Sequence, residues 1–145
     1  MSVIILGSCN AAAYFTEGIF PCEDVISAEQ LTALDSPNSV LIIGENAPLP
    51  QKLNVFAAAA DADAGFNVSA LKGIAVLTYG ISGRNTISLT SRTPERVTLS
   101  LNRSIMTLRG ICEPFELPMP LLPCTTAHDC MAAFAAAAAL GTIGC

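Results

Sequence analysis

Residues 50–65 read Pro50-Gln-Lys-Leu-Asn-Val-Phe-Ala-Ala-Ala-Ala-Asp-Ala-Asp-Ala-Gly65, and how they are read decides the fold. Pro48 and Pro50 suit the first turn of a helix, and Leu53, Phe56, Ala57 and Ala60 fall on one face at helical spacing. Gly65 ends the element. Two apolar runs flank it: Ser39-Val-Leu-Ile-Ile43, closed by Gly44, and Gly73-Ile-Ala-Val-Leu-Thr-Tyr79, closed by Gly80. Both read as buried strands. Strand, helix and strand in succession predict βαβ units and a parallel sheet.

Working outward, Val3-Ile-Ile-Leu6 is another buried strand, followed by a turn at Gly7-Ser8-Cys9-Asn10 and a helix start over Ala11–Phe15. Ser27-Ala28-Glu29-Gln30 has the spacing of a capping box, with Ile26 and Leu31 at staple positions, so a helix is expected through about Leu34. Asp35-Ser36-Pro37-Asn38 would end it. Beyond Gly80 come the short segments Thr86–Thr90, Val97–Leu101, Ile105–Leu108 and Glu113–Leu117, several of which alternate apolar and polar residues, as an antiparallel meander does. Pro114–Pro123 reads as an extended connection. Thr126-Ala127-His128-Asp129 resembles a capping box, and a helix over Ala127–Leu140 with Gly141 at its C-cap follows. The expectation is one α/β domain over residues 1–145. It consists of a mainly parallel, Rossmann-like sheet flanked by helices, with a small β-meander (about residues 86–118) before an Ala-rich C-terminal helix.

The chain has 145 residues, of which 13% are charged and 52% hydrophobic. This is too apolar for intrinsic disorder. Seven Lys+Arg against twelve Asp+Glu give a net charge of −5, and the sequence pI is about 4.6. No basic footprint for nucleic acid exists. The apolar tail Cys130–Cys145 falls short of the roughly 20 residues of a membrane span, so no membrane partner is expected. With so few charges, much of the surface is small or apolar, which points to a homo-oligomer or a protein partner. The first charged residue is Glu17, so the basic segment of a secretory signal is missing. Cys9, Cys22, Cys112, Cys124, Cys130 and Cys145 match no zinc or redox spacing and read as reduced thiols in a cytoplasmic protein.

No phosphate-binding motif is present. Lys52 follows Gln51 and Lys72 follows Leu71, so neither completes a P-loop, and no strand leads into Gly-x-Gly-x-x-Gly. Three strands end in small or polar residues: Gly7-Ser8-Cys9-Asn10, Gly44-Glu45-Asn46 and Tyr79-Gly80. Ligands of open parallel sheets sit beyond such carboxyl ends. Ser8, Cys9 and Asn10, at a helix start, form a candidate small-anion site, with Glu45 and Asn46 beside it. A helix start would also lower the pKa of the Cys9 thiol. His128 and Asp129 are a candidate acid–base or ligand pair, but one imidazole and one carboxylate make a poor metal site, and no metal or cofactor is expected. Asp61 and Asp63 read as a solvated helix end.

The C-terminal third resembles the Mur ligases. Leu121-Leu122-Pro123, His128-Asp129-Cys130-Met131-Ala132, Ala135-Ala136 and Leu140-Gly141 are similar to that family's Leu-Pro-Gly, His-Asn-x-x-Asn-x-x-Ala-Ala and Leu-Gly sequence. Val76-Leu77-Thr78-Tyr79-Gly80 resembles the upstream strand, and the meander occupies the place of a small β excursion. The resemblance implies a central ATPase-type domain that is degenerate and truncated. The P-loop is absent, and Asp129 and Ala132 stand where the family has asparagines. No lysine follows Lys72 to correspond to the family's carbamylated lysine. What it implies is therefore a non-catalytic interaction or self-association module. A small-ligand or nucleotide/UDP-sugar binder without ATP hydrolysis is the alternative, and a thiol enzyme using Cys9 a third.

Overall fold

The alanine run that the sequence assigns to a helix is a central strand. The computed structural model of the protein describes residues 2–7, 9–22, 24–45, 47–64, 71 and 73–144. In chain order the elements are β1 (Ser2–Leu6), α1 (Ala13–Thr16), β2 (Asp24–Ala28), β3 (Ala33–Ile43), β4 (Lys52–Asp61), a 3-10 turn (Ala62–Ala64), β5 (Ala75–Gly80), β6 (Ile87–Arg92), β7 (Arg96–Leu101), β8 (Ile105–Thr107), β9 (Gly110–Cys112), β10 (Phe115–Pro120) and α2 (Ala127–Leu140). One eight-stranded sheet runs in the order β2-β1-β3-β4-β5-β6-β7-β10. The pairs from β2 to β6 are parallel, and β6, β7 and β10 pair antiparallel. β8 and β9 form a separate hairpin.

This corrects the expected Rossmann-like α/β sheet flanked by helices. The described residues are mostly β, 47% strand against 16% helix, with the parallel strands in a β-solenoid-like arrangement. Two expected helices account for the difference. At residues 27–34 the capping-box pattern is overridden, because Val25 and Ile26 precede it and β2 pairs in parallel with β1 at the sheet edge. The Asp35–Asn38 segment is then no helix end. It lies within β3, where the register slips between Ser36 and Val40, and a bulge of this kind accommodates Pro37. Residues 50–64 form β4 and its 3-10 turn, and Gly65 lies outside the described residues. Alanine favours helix intrinsically, but that preference is a weak prior that packing overrides. Ala57–Ala60 are at most 1% exposed, flanked by β3 and β5 and covered on both sheet faces.

The two faces are covered differently. Val3, Ile5, Val40, Ile42, Ala57, Ala59, Leu77 and Tyr79 face α2 in the larger core. Ile4, Leu6, Leu41, Ile43, Val55, Ala58 and Leu71 face the other way, against partly buried residues such as Leu31, Leu49 and Ile74. The strands expected at residues 3–6, 39–43 and 73–79 all form, and β6, β7 and β10 bear out an antiparallel excursion. Its first strand, however, joins the main sheet by parallel pairing with β5, and part of the expected Pro-rich connection is β10 itself.

The final helix forms over the residues expected. Thr126 Oγ1 accepts from Asp129 N at 3.2 Å while Thr126 N donates to Asp129 Oδ2 at 2.9 Å, a reciprocal capping box. Gly141 closes the helix at φ +81°, where an added Cβ would meet Thr107 Oγ1 at 2.8 Å. No residue from Cys130 to Leu140 is more than 1% exposed. The small side chains let the sheet approach one flank while the segment around β8 and α1 covers others. No helix among the described residues is long and apolar enough to cross a membrane. Because Ala135 is wholly buried, Ala135→Leu should overpack this layer and lower stability by about 1–3 kcal/mol. The check is urea unfolding, with a lower midpoint at unchanged slope.

Candidate functional site

The carboxyl ends of four parallel strands and the start of α2 enclose a cleft of about 920 Å³. Gly7 closes β1, Ile43 and Gly44 end β3, Asp61 ends β4 and Tyr79 belongs to the end of β5. Thr126, His128 and Asp129 come from the start of α2, and Cys9 and Asn10 from the loop after β1. Glu45 and Ala47 complete one wall. No lysine or arginine is among the described lining residues.

Asp129 fixes the loop to the helix. Its Oδ1 accepts from Asn10 N at 3.2 Å and from the Cys9 thiol at 3.6 Å, and its Oδ2 serves the capping box. Asn10 Nδ2 also donates to Cys124 O at 3.3 Å. The backbone N–H of Asn10, offered by the sequence reading to an anion, is thus spent on a carboxylate of the protein itself.

His128 turns away from Asp129 and meets the end of β4. Its Nε2 lies 2.8 Å from Asp63 Oδ2 and 3.9 Å from Asp61 Oδ1. One ligating atom from each of Asp61, Asp63 and His128 lies within 4.8 Å of the others. Asp63 is held from a second side by Ile81 N, which donates to Oδ2 at 2.9 Å. The hydrogen bonds from His128 and Ile81 hold the Asp63 carboxyl below its ordinary value. Gly80 permits the approach, since a Cβ there would lie 2.9 Å from both Asp63 oxygens.

Two further groups face the cleft from its buried side. Burial pushes the Cys9 thiol up to about 12, with Asp129 adding to the shift. The thiol is therefore protonated at neutral pH, the reverse of the activation expected from a helix start; the loop N–H meets Asp129 and burial dominates. Tyr79 is 4% exposed, and burial, then the charges of Cys9, Asp61 and Asp129, raise its phenol above the ordinary value. Its hydroxyl has no hydrogen-bond partner among the described residues.

Of the candidates named from sequence, Cys9, Asn10, Glu45, His128 and Asp129 come together around this cleft, while Ser8 and Asn46 lie outside the described residues. Asp61, Asp63 and Tyr79 were not among them. Once β4 is a strand, Asp61 stands at its carboxyl end as Gly44 does in β3, and that is the signal that could have found it. No protein-family model matches the chain, and no curated protein or solved structure shows a significant match to it.

Two outcomes follow. Iodoacetamide at pH 8 should label exposed Cys124 readily, whereas Cys9 should react slowly until the chain is denatured. A rise from 9.0 to about 12 reduces the thiolate by on the order of a thousandfold. His128→Ala should let the Asp63 pKa rise toward its ordinary value, as followed by carboxylate NMR. The sign follows from linkage: a depressed folded pKa gives stability that is present at neutral pH and lost as pH falls below about 4. Asp63 is over a third exposed, so solvent screening keeps that stability increment small.

Proposed function

We propose that the protein binds a small, positively charged ligand in the strand-end cleft and does not hydrolyse ATP. The observation that carries this reading is the unbalanced charge of the cleft. Glu45, Asp61 and Asp129 line it, Asp63 stands behind His128, and no lysine or arginine among the described lining residues offsets them. A cation entering this site gains charge partners that are already held in place by Asn10, Ile81 and Thr126. Phosphate groups would meet the carboxylates without a basic partner, which disfavours the nucleotide or UDP-sugar alternative. The Mur-ligase-like motifs enter this reading as positions only: Tyr79-Gly80 ends β5 beside the cleft, and His128-Asp129 begins α2 at its rim.

The interaction-module reading keeps one supporting observation. Met106 and Ile111, opposed in the β8–β9 pair, are 62% and 64% exposed. The Ala-rich helix offers no surface for self-association, because α2 is buried within the chain. The thiol-enzyme reading is disfavoured by the protonated Cys9. The thiols of Cys9, Cys22, Cys124 and Cys130 are free, which supports a reducing, cytoplasmic setting as part of the proposal.

The test is thermal unfolding against organic polyamines and amino sugars on one side and ATP and UDP-sugars on the other. A hundredfold excess over Kd stabilises by about 2.7 kcal/mol, enough to read as a saturable rise in Tm. A rise with the cationic set alone is expected. A rise with the nucleotides alone would overturn the reading.

A further inference from the structure

We infer that Asp61, Asp63 and His128 hold a divalent first-row metal cation at the mouth of the cleft. This rests on the reading of the cleft as a ligand site and gives that ligand a chemical class.

Three observations carry it. The first is the donor set: two carboxylates and one imidazole, with ligating atoms within 4.8 Å of one another. An imidazole nitrogen with carboxylate oxygens suits manganese, zinc or cobalt better than magnesium or calcium, which prefer oxygen throughout. Three protein ligands also leave coordination positions open to water or a substrate. The second is independent of that cluster. Tyr79 is 4% exposed and borders the same cleft, and its hydroxyl makes no hydrogen bond to a described residue. The hydroxyl of an otherwise buried ring that borders the cleft is placed to hydrogen-bond a water or substrate group filling it beside the metal. The third is support for the ligands. Ile81 N holds Asp63, the 3-10 turn places Asp63 two residues after Asp61, and the Thr126–Asp129 capping box sets the helical turn that carries His128. Groups that orient metal ligands in this way raise affinity. His128 Nε2 now faces Asp63 Oδ2 at 2.8 Å, so a cation entering there takes the place of this hydrogen bond, and the proton shared between the two groups is released to solvent.

The experiment is isothermal titration of the full chain with Mn2+, which binds thiolate poorly and so avoids exposed Cys124. It is repeated for Asp61→Asn, Asp63→Asn and His128→Gln, with Glu113→Gln, which follows β9 and does not line the cleft, as control. Melting without metal confirms that each variant is folded. The expected result is one saturable site in the parent and the control, weakened at least tenfold in each of the three site variants. Two results would overturn the inference: no saturable site in the folded parent, or folded site variants that bind as the parent does. Failure with Mn2+ alongside a saturable response to polyamines would remove the metal and leave the proposed function standing. Failure with both would remove the two together.

Discussion

The close approach of two alanine runs is the constraint on which the structure depends. Ala57–Ala60 lie toward the C-terminal end of β4, and Ala132, Ala133 and Ala135–Ala139 fill α2; both runs are buried. Methyl side chains allow a helix and a sheet to pack closely without cavities, and this is why a helix of low amphipathicity sits inside the chain instead of on its surface. Larger residues at these positions would push α2 outward. The position of its first turn, and of everything that turn carries, would move with it.

The site follows from that packing. Asp61 comes directly after the buried run of β4, and His128 comes just before the buried run of α2. Seating one run on the other therefore brings the end of the strand to the start of the helix. Asp129 then ties the same helix start to the loop after β1 through Asn10 and Cys9. Three segments far apart in sequence meet at one cleft, although none of them contains a chemical motif alone.

The sequence was legible where its local signals agreed with the packing. β1, the end of β3, β5 and α2 are long apolar or capped segments, and each lies where its pattern puts it. It misled where local preference and tertiary context disagreed. The capping-box spacing at Ser27–Gln30 lies in β2 and the turn after it, and the alanines of residues 57–60 prefer helix but fill a strand. The site was half legible for the same reason. Cys9, Asn10, Glu45, His128 and Asp129 follow from strand ends and a helix start, whereas Asp61 and Asp63 were hidden by reading β4 as a helix. The true partner of His128 is then a carboxylate 65 residues away in place of its neighbour Asp129, which no spacing rule reveals.

The end of β4 and the start of α2 are held together at the cleft by His128 and Asp63. His128 is the chain's single histidine, so its imidazole gives one unambiguous set of NMR signals. Nuclear Overhauser contacts are expected from the His128 ring protons to Asp61, Asp63 and Ile81, with the ring hydrogen-bonded through Nε2. Ring signals averaged as in a free histidine, without contacts to residues 61–63, would contradict it.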